Sequence, residues 1–204
     1  MIYQPDDEQF VGAILEVELQ RRREAQAESD LAAAVLQALC GSVWHTTNSE
    51  RFKGILSEGA ILPEPPISDS DRWGTGLGTI GCPYVRSLGG VSLFDFRDFD
   101  PEEYSNKYPI STWREFVPYR SAWGEAIWIE IDFSEVVPGF ISGREILDRW
   151  KAEQATNRLM PLIEAAHIGV LPVKAFKRVL HVSKESGPLI SLPKALLETI
   201  NRRT

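Results

Sequence analysis

The order of apolar and polar positions divides the chain into helical and extended segments. From Asp6 to Cys40, Phe10, Ile14 and Val17 and then Leu31, Val35 and Leu39 recur at helical spacing, with no proline or glycine between Gly12 and Gly41. This predicts one long helix or two. Its middle, Arg21 to Asp30, is charged or polar with only small alanines between, the composition of a solvated linker turn or of an arm lying away from the core. An arm of that kind suits docking of a partner protein, and a helix pair packed on the domain's flank has the same pattern.

Residues 42–47 are rich in β-branched and aromatic side chains and predict a strand ending in His45, Thr46 and Thr47. Thr47, three residues before Glu50, makes a capping box for a helix over 49–58, with Phe52, Ile55 and Leu56 as its apolar face and Gly59 as its left-handed stop. Residues 63–90 then hold four prolines and six glycines, a long irregular segment of the kind that covers binding sites. Gly76–Gly81 in that segment matches GxGxxG, but no strand precedes it and Cys82-Pro83 blocks a following helix, so it is not a dinucleotide fingerprint.

Further strands are predicted over Gly90–Phe96, over Glu125–Phe133 with Ile127, Ile129 and Ile131 on one face, from Leu162 onward, and over Val179–Val182. A short helix starts at Asp100-Pro101, another spans 143–157, a turn covers 172–176, and a terminal helix runs from Pro193 to Arg203. No repeat and no regular βαβ alternation occurs, so the predicted class is α+β. The expected organisation is an N-terminal helical extension, residues 1–40, followed by one domain, residues 41–204.

Composition agrees with a folded domain: 204 residues, 43% apolar and 25% charged. No apolar run approaches the roughly 18 residues of a membrane span, and Met1 opens onto the acidic Asp6-Asp7-Glu8. A soluble, unsecreted, cytoplasmic protein with no membrane partner is expected, and Cys40 and Cys82, which form no CxxC pair, fit a reducing compartment. The net charge of −7 argues against binding nucleic acid by bulk attraction. Residues 1–148 carry 12 basic and 25 acidic side chains and residues 149–204 carry 10 and 4, so the last quarter either receives an anionic ligand or balances acidic neighbours within the fold.

The three histidines, His45, His167 and His181, form no HxH, HxxxH or HExxH pattern, so no metal is expected. No G-x-S-x-G elbow or phosphate-binding GxxxxGK[ST] loop is present. Two polar residues set among apolar ones remain. His45 on a strand either presents a donor and an acceptor to a sugar hydroxyl or is a core histidine bonded to a carbonyl. Glu164, between Ile163 and Ala165, is either a buried acid held for function or a surface glutamate on the wet face of an edge strand.

Taken in order, these elements resemble the ADP-ribosyltransferase-like superfamily over residues 42–183. The strand with His45-Thr46-Thr47, the helix running into Gly59 and Ile61-Leu62-Pro63, the strand Val91-Ser92-Leu93-Phe94 and the sequence Ile163-Glu164-Ala165 followed by Pro172 each match a family element. The resemblance implies a split β-sheet with flanking helices, and NAD as a substrate. It implies that His45 bonds a ribose hydroxyl and that Thr46 or Thr47 supports the nicotinamide. Ser92 and Phe94 would line that pocket, and Glu164 would hold the nicotinamide-side ribose and stabilise the developing cation.

In place of the family's second-element tyrosine, Tyr84 and Tyr104 stand nearby, and Arg86, with Arg51 and Arg72 behind it, is the candidate phosphate ligand. Leu162 stands where arginine-modifying members carry a second acid, so arginine is a poor acceptor. The function implied is transfer of ADP-ribose from NAD to a macromolecular acceptor, of toxin or defence-effector type. The alternatives are a catalytically silent nucleotide-binding module and an RNA 2′-phosphotransferase-like enzyme, the latter at odds with the acidic first 148 residues.

Overall fold

The computed structural model describes residues 7–68, 82–120, 123–183 and 190–193. Helix α1 (Asp7–Leu39) is a single helix. Arg21–Asp30 is therefore not a linker turn: Arg, Glu, Gln and Ala are strong helix formers, and nothing in the segment breaks the backbone ladder. Every side chain from Leu15 to Asp30 is exposed, so this part of α1 is a solvated arm. Its other end is anchored. Val35 and Leu39 are fully buried in a core cluster with Trp44, Phe94 and Trp128, the Trp44 indole donates to Leu39 O at 2.8 Å, and Arg178 donates to Ala38 O at 2.9 Å.

The strands are β1 (Val43–Thr47), β2 (Ala60–Ile61), β3 (Gly90–Asp95), β4 (Glu125–Ile131), β5 (Phe140–Ile141), β6 (Glu164–Ile168), β7 (Leu171–Pro172), β8 (Phe176–Ser183) and β9 (Ile190–Pro193). Seven of them form one antiparallel sheet in the order β5-β6-β3-β1-β4-β8-β9, and β2 pairs with β7 in a small second sheet. The class is α+β, and the sheet is split. β1 pairs with β4 along its whole length, from Val43↔Ile131 to Thr47↔Ile127, but with β3 only at Val43↔Asp95 and Trp44↔Phe94. From His45 onward the two strands diverge.

Period-two alternation puts different chemistry on the two faces. One face carries Val43, Leu93, Ile127, Ile129 and Ile131, covered by Phe52 and Leu56 of α2 (Ser49–Glu58). The other carries Trp44, Phe94 and Trp128, covered by Phe116 and by the end of α1. The remaining helices are short: α3 (Tyr84–Ser87), α4 (Pro101–Lys107), α5 (Phe133–Val136) and α6 (Gly143–Ala152).

Several boundaries differ from the sequence expectation for local reasons. Thr47 continues the pairing of β1, so the cap of α2 falls on Asn48, whose side chain accepts from Arg51 N at 2.8 Å. Gly59 does end α2, at φ 70°. Helix α6 stops at Ala152 rather than 157, because Gln154 takes φ 52° and the Trp150 indole draws Asn157 O back to 2.9 Å. β6 starts at Glu164 rather than Leu162, whose φ of 64° turns the chain just before the strand. Pro193 closes β9 instead of opening a helix, and the rest of that predicted helix lies outside the described residues.

Four of the ten cations of the last quarter meet acids of this fold. Lys177 and Arg178 both pair with the buried Glu130, Arg149 with Glu145 at 2.6 Å, and Lys174 with Glu135 at 3.3 Å. Among the described residues no helix is long and apolar enough to cross a membrane.

Candidate active site

The divergence of β1 and β3 opens a cavity of about 720 Å³ in the sheet. His45, Thr46 and Thr47 come to it from β1, Ser92 and Phe94 from β3, and Glu164 from β6. The proline-rich segment contributes Pro63, Pro65, Pro66, Ile67, Pro83 and Arg86 to its lining. The GxGxxG stretch and Arg72 lie outside the described residues.

Glu164 is buried, 3% exposed, so the edge-strand alternative does not apply. Its Oε1 accepts from the Ser92 hydroxyl at 2.8 Å and its Oε2 from Met160 N at 3.0 Å. Burial raises its carboxyl above the ordinary carboxylate range, and the Met160 amide and Ser92 hydroxyl, which favour the charged form, offset part of that. The Met160 contact is a backbone one from an irregular segment, which no side-chain pattern signals.

His45 sits across the split. Its Nδ1 lies 3.0 Å from Ser92 O, and since a carbonyl only accepts, Nδ1 carries the proton and Nε2 remains as the acceptor. Burial lowers the imidazole's pKa, the Ser92 carbonyl opposing, so the ring is neutral at physiological pH. The ring is thus bonded to a carbonyl, the second of its two sequence readings, and it also lines the cavity. Ser92 connects the two sides, carbonyl to His45 and hydroxyl to Glu164.

The remaining expected residues divide. Thr46 Oγ1 is buried with no hydrogen-bond partner among the described residues, and Thr47 is 4% exposed; both border the cavity. The Phe94 ring does too, held edge-on to Trp128 at 5.2 Å and tilted on Phe116 at 5.1 Å. Tyr84 is not brought to the site. Its ring is buried with Val85, Ile141 and Ile146 under α6, because the first turn of α3 faces that cluster. Tyr104 is not among the cavity-lining residues either; its ring is buried against Phe99 and Trp113. Arg86 reaches the wall, but its guanidinium holds both carboxylate oxygens of Glu64, at 3.0 and 3.1 Å. Phe116 and Trp123, which sequence reasoning did not single out, complete the lining from the segment before β4.

Among the described residues no three His, Cys, Asp or Glu side chains are placed to hold a metal ion. No protein-family model and no curated protein matches the chain. Among solved structures, that of Thermus sp. 2.9 DarT in complex with ADP-ribosylated ssDNA is similar at a TM-score of 0.42 and 14% identity, covering 80% of this chain and 88% of that one. A likeness that distant carries no weight for activity.

Proposed function

We propose that the chain cleaves NAD at its glycosidic bond and transfers ADP-ribose to a macromolecular acceptor. One observation carries the proposal: a buried carboxylate, Glu164, fixed by the Ser92 hydroxyl and the Met160 amide, borders the same cavity as the neutral His45 held on Ser92 O. The cavity is of the size that takes a dinucleotide-scale ligand.

In this reading the Nε2 of His45 accepts from a ribose hydroxyl and the unsatisfied Thr46 Oγ1 bonds the nicotinamide side. The bond between ribose C1′ and the nicotinamide nitrogen breaks, and nicotinamide leaves with the electron pair. Positive charge develops on the ribose ring, where a carboxylate already desolvated and oriented stabilises it without reorganising. The acceptor's nucleophile then bonds C1′ and gives up its proton.

Incubating the full chain with labelled NAD tests this. Release of nicotinamide or transfer of label, lost in Glu164→Gln, is the expected result. Binding of NAD with no release identifies a silent nucleotide-binding module instead.

A further inference from the structure

We propose, resting on the NAD reading above, that Glu125 with His181 behind it is a positioning residue that holds together two walls of the candidate active site, the first turn of α2 and the segment carrying Trp123. Ser49, Glu125 and His181 are not among the residues lining the cavity, whereas Asn48, Glu50, Arg51 and Trp123, beside them in the chain, are. The Glu125 carboxylate accepts from the Ser49 amide at 2.9 Å through Oε1 and from the Ser49 hydroxyl at 2.8 Å through Oε2, and Oε2 also lies 2.9 Å from His181 Nε2. A carboxylate only accepts, so Nε2 carries the proton.

Helix α2 begins where β1 ends, and the amides of its first turn have no partner within the helix. The Asn48 side chain takes that of Arg51 at 2.8 Å. The Ser49 amide goes instead to Glu125, 76 residues away, so a carboxylate of β4 completes the cap and sets its charge at the positive end of the helix. Burial works against ionisation of Glu125, but the Ser49 hydroxyl and amide, and then His181, outweigh it and hold the carboxyl below the ordinary range.

The second wall is reached through the chain. Trp123 stands two residues before Glu125, and Gly124, at φ 70°, turns the backbone between them. The Trp123 ring centroid lies 5.6 Å from the Arg51 guanidinium, so the two walls meet twice, at Ser49–Glu125 behind the lining and at Arg51–Trp123 on it. His181, from β8, ties the same carboxylate to a third element. A shift of α2 or Trp123 changes the spacing of these walls while the bonds from Ser92 to Glu164 and His45 stay in place. The effect therefore falls on binding of the dinucleotide rather than on its cleavage.

Nicotinamide-release kinetics of the full chain, with amide exchange of the unliganded protein, test the assignment. Glu125→Ala is expected to raise KM for NAD on the order of tenfold or more, the scale of lost hydrogen bonds to a charged group, with kcat unchanged. His181→Ala should raise KM by a smaller factor, and His181→Gln, which keeps a donor at that position, should restore it. A merely structural role lowers the active fraction and hence kcat while KM stays fixed; that result in both alanine variants overturns the proposal and leaves the NAD reading standing. Amides of residues 49–52 should exchange faster in Glu125→Ala while those of α6 do not. Unchanged exchange at 49–52 in both alanine variants overturns the proposal whatever KM does. If Glu125→Ala does not fold, His181→Ala, which leaves both Ser49 contacts in place, decides by the same two readouts. If the unaltered chain does not cleave NAD, the NAD reading fails, and exchange at 49–52 alone decides whether Glu125 holds the wall.

Discussion

Ser92 donates its hydroxyl to Glu164 at 2.8 Å while its own carbonyl, 3.0 Å from His45 Nδ1, accepts from that ring. One residue of β3 thus positions an acid on the neighbouring strand and an imidazole on the strand from which β3 has separated. The cleft is organised around this double contact, which makes the site's response to substitution and pH specific.

Glu164→Gln is expected to lower the rate of NAD cleavage by on the order of 10²–10³, the scale of removing one preorganised electrostatic group. Stability should move the other way. Because the folded state raises the Glu164 pKa, its contribution is fully present below the ordinary carboxylate value and is lost as pH rises through the folded value. Melting curves of the glutamine variant should match or exceed the wild type at pH 8, with the difference shrinking toward pH 4.

Ser92→Ala removes one of the two donors to Glu164 and leaves the backbone contact to His45 in place. The carboxyl's pKa should rise further, moving the acid limb of the pH–rate profile to higher pH, and stability should fall by about 1–3 kcal/mol. Ser92→Thr retains the hydroxyl and should restore the profile. A profile with an unmoved acid limb in the alanine variant would show that Ser92 does not position the acid.

Folding lowers the pKa of His45, so its contribution to stability is present above the ordinary imidazole value of about 6.5 and is lost as pH falls through the folded value. Chemical denaturation of the wild type should show a loss of stability as acidity increases below that value. In His45→Gln the slope over the same window should be shallower.

Gly143, at the start of α6, packs directly on the chain leading to Glu164. A Cβ there would stand 2.0 Å from Leu162 O. Gly143→Ala should cost about 3 kcal/mol or more, since either α6 or the 160–164 segment has to move. In whatever fraction folds, NAD cleavage should also be impaired, because Met160 and Glu164 lie on that segment. Thermal melting together with single-turnover nicotinamide release separates the two effects.

Much of the fold was legible in the sequence because it follows from local rules. The alternation of Ile127, Ile129 and Ile131 with Trp128 marks a strand buried on both faces, Gly59 marks the end of α2, and Asp100-Pro101 caps α4 through two bonds of 2.8 Å. Where local signals compete, they misled. A capping box centred on Thr47 yields to strand pairing, and Pro193 reads as a helix start although β9 ends on it.

The sequence by itself singled out two polar features set among apolar residues that border the cavity: an acid at Glu164 and a polar run, His45 to Thr47, on a largely buried strand. Only the tertiary structure decided which of the others join them. Tyr84 and Arg86 are two residues apart, yet one is buried beneath α6 and the other borders the cleft clasping Glu64, whereas Arg51 and Trp123, far apart in the chain, meet at the cavity wall. Strand pattern and residue type are encoded within a few positions, but the split between β1 and β3, and every contact made across it, depends on pairing between distant segments that no local window contains.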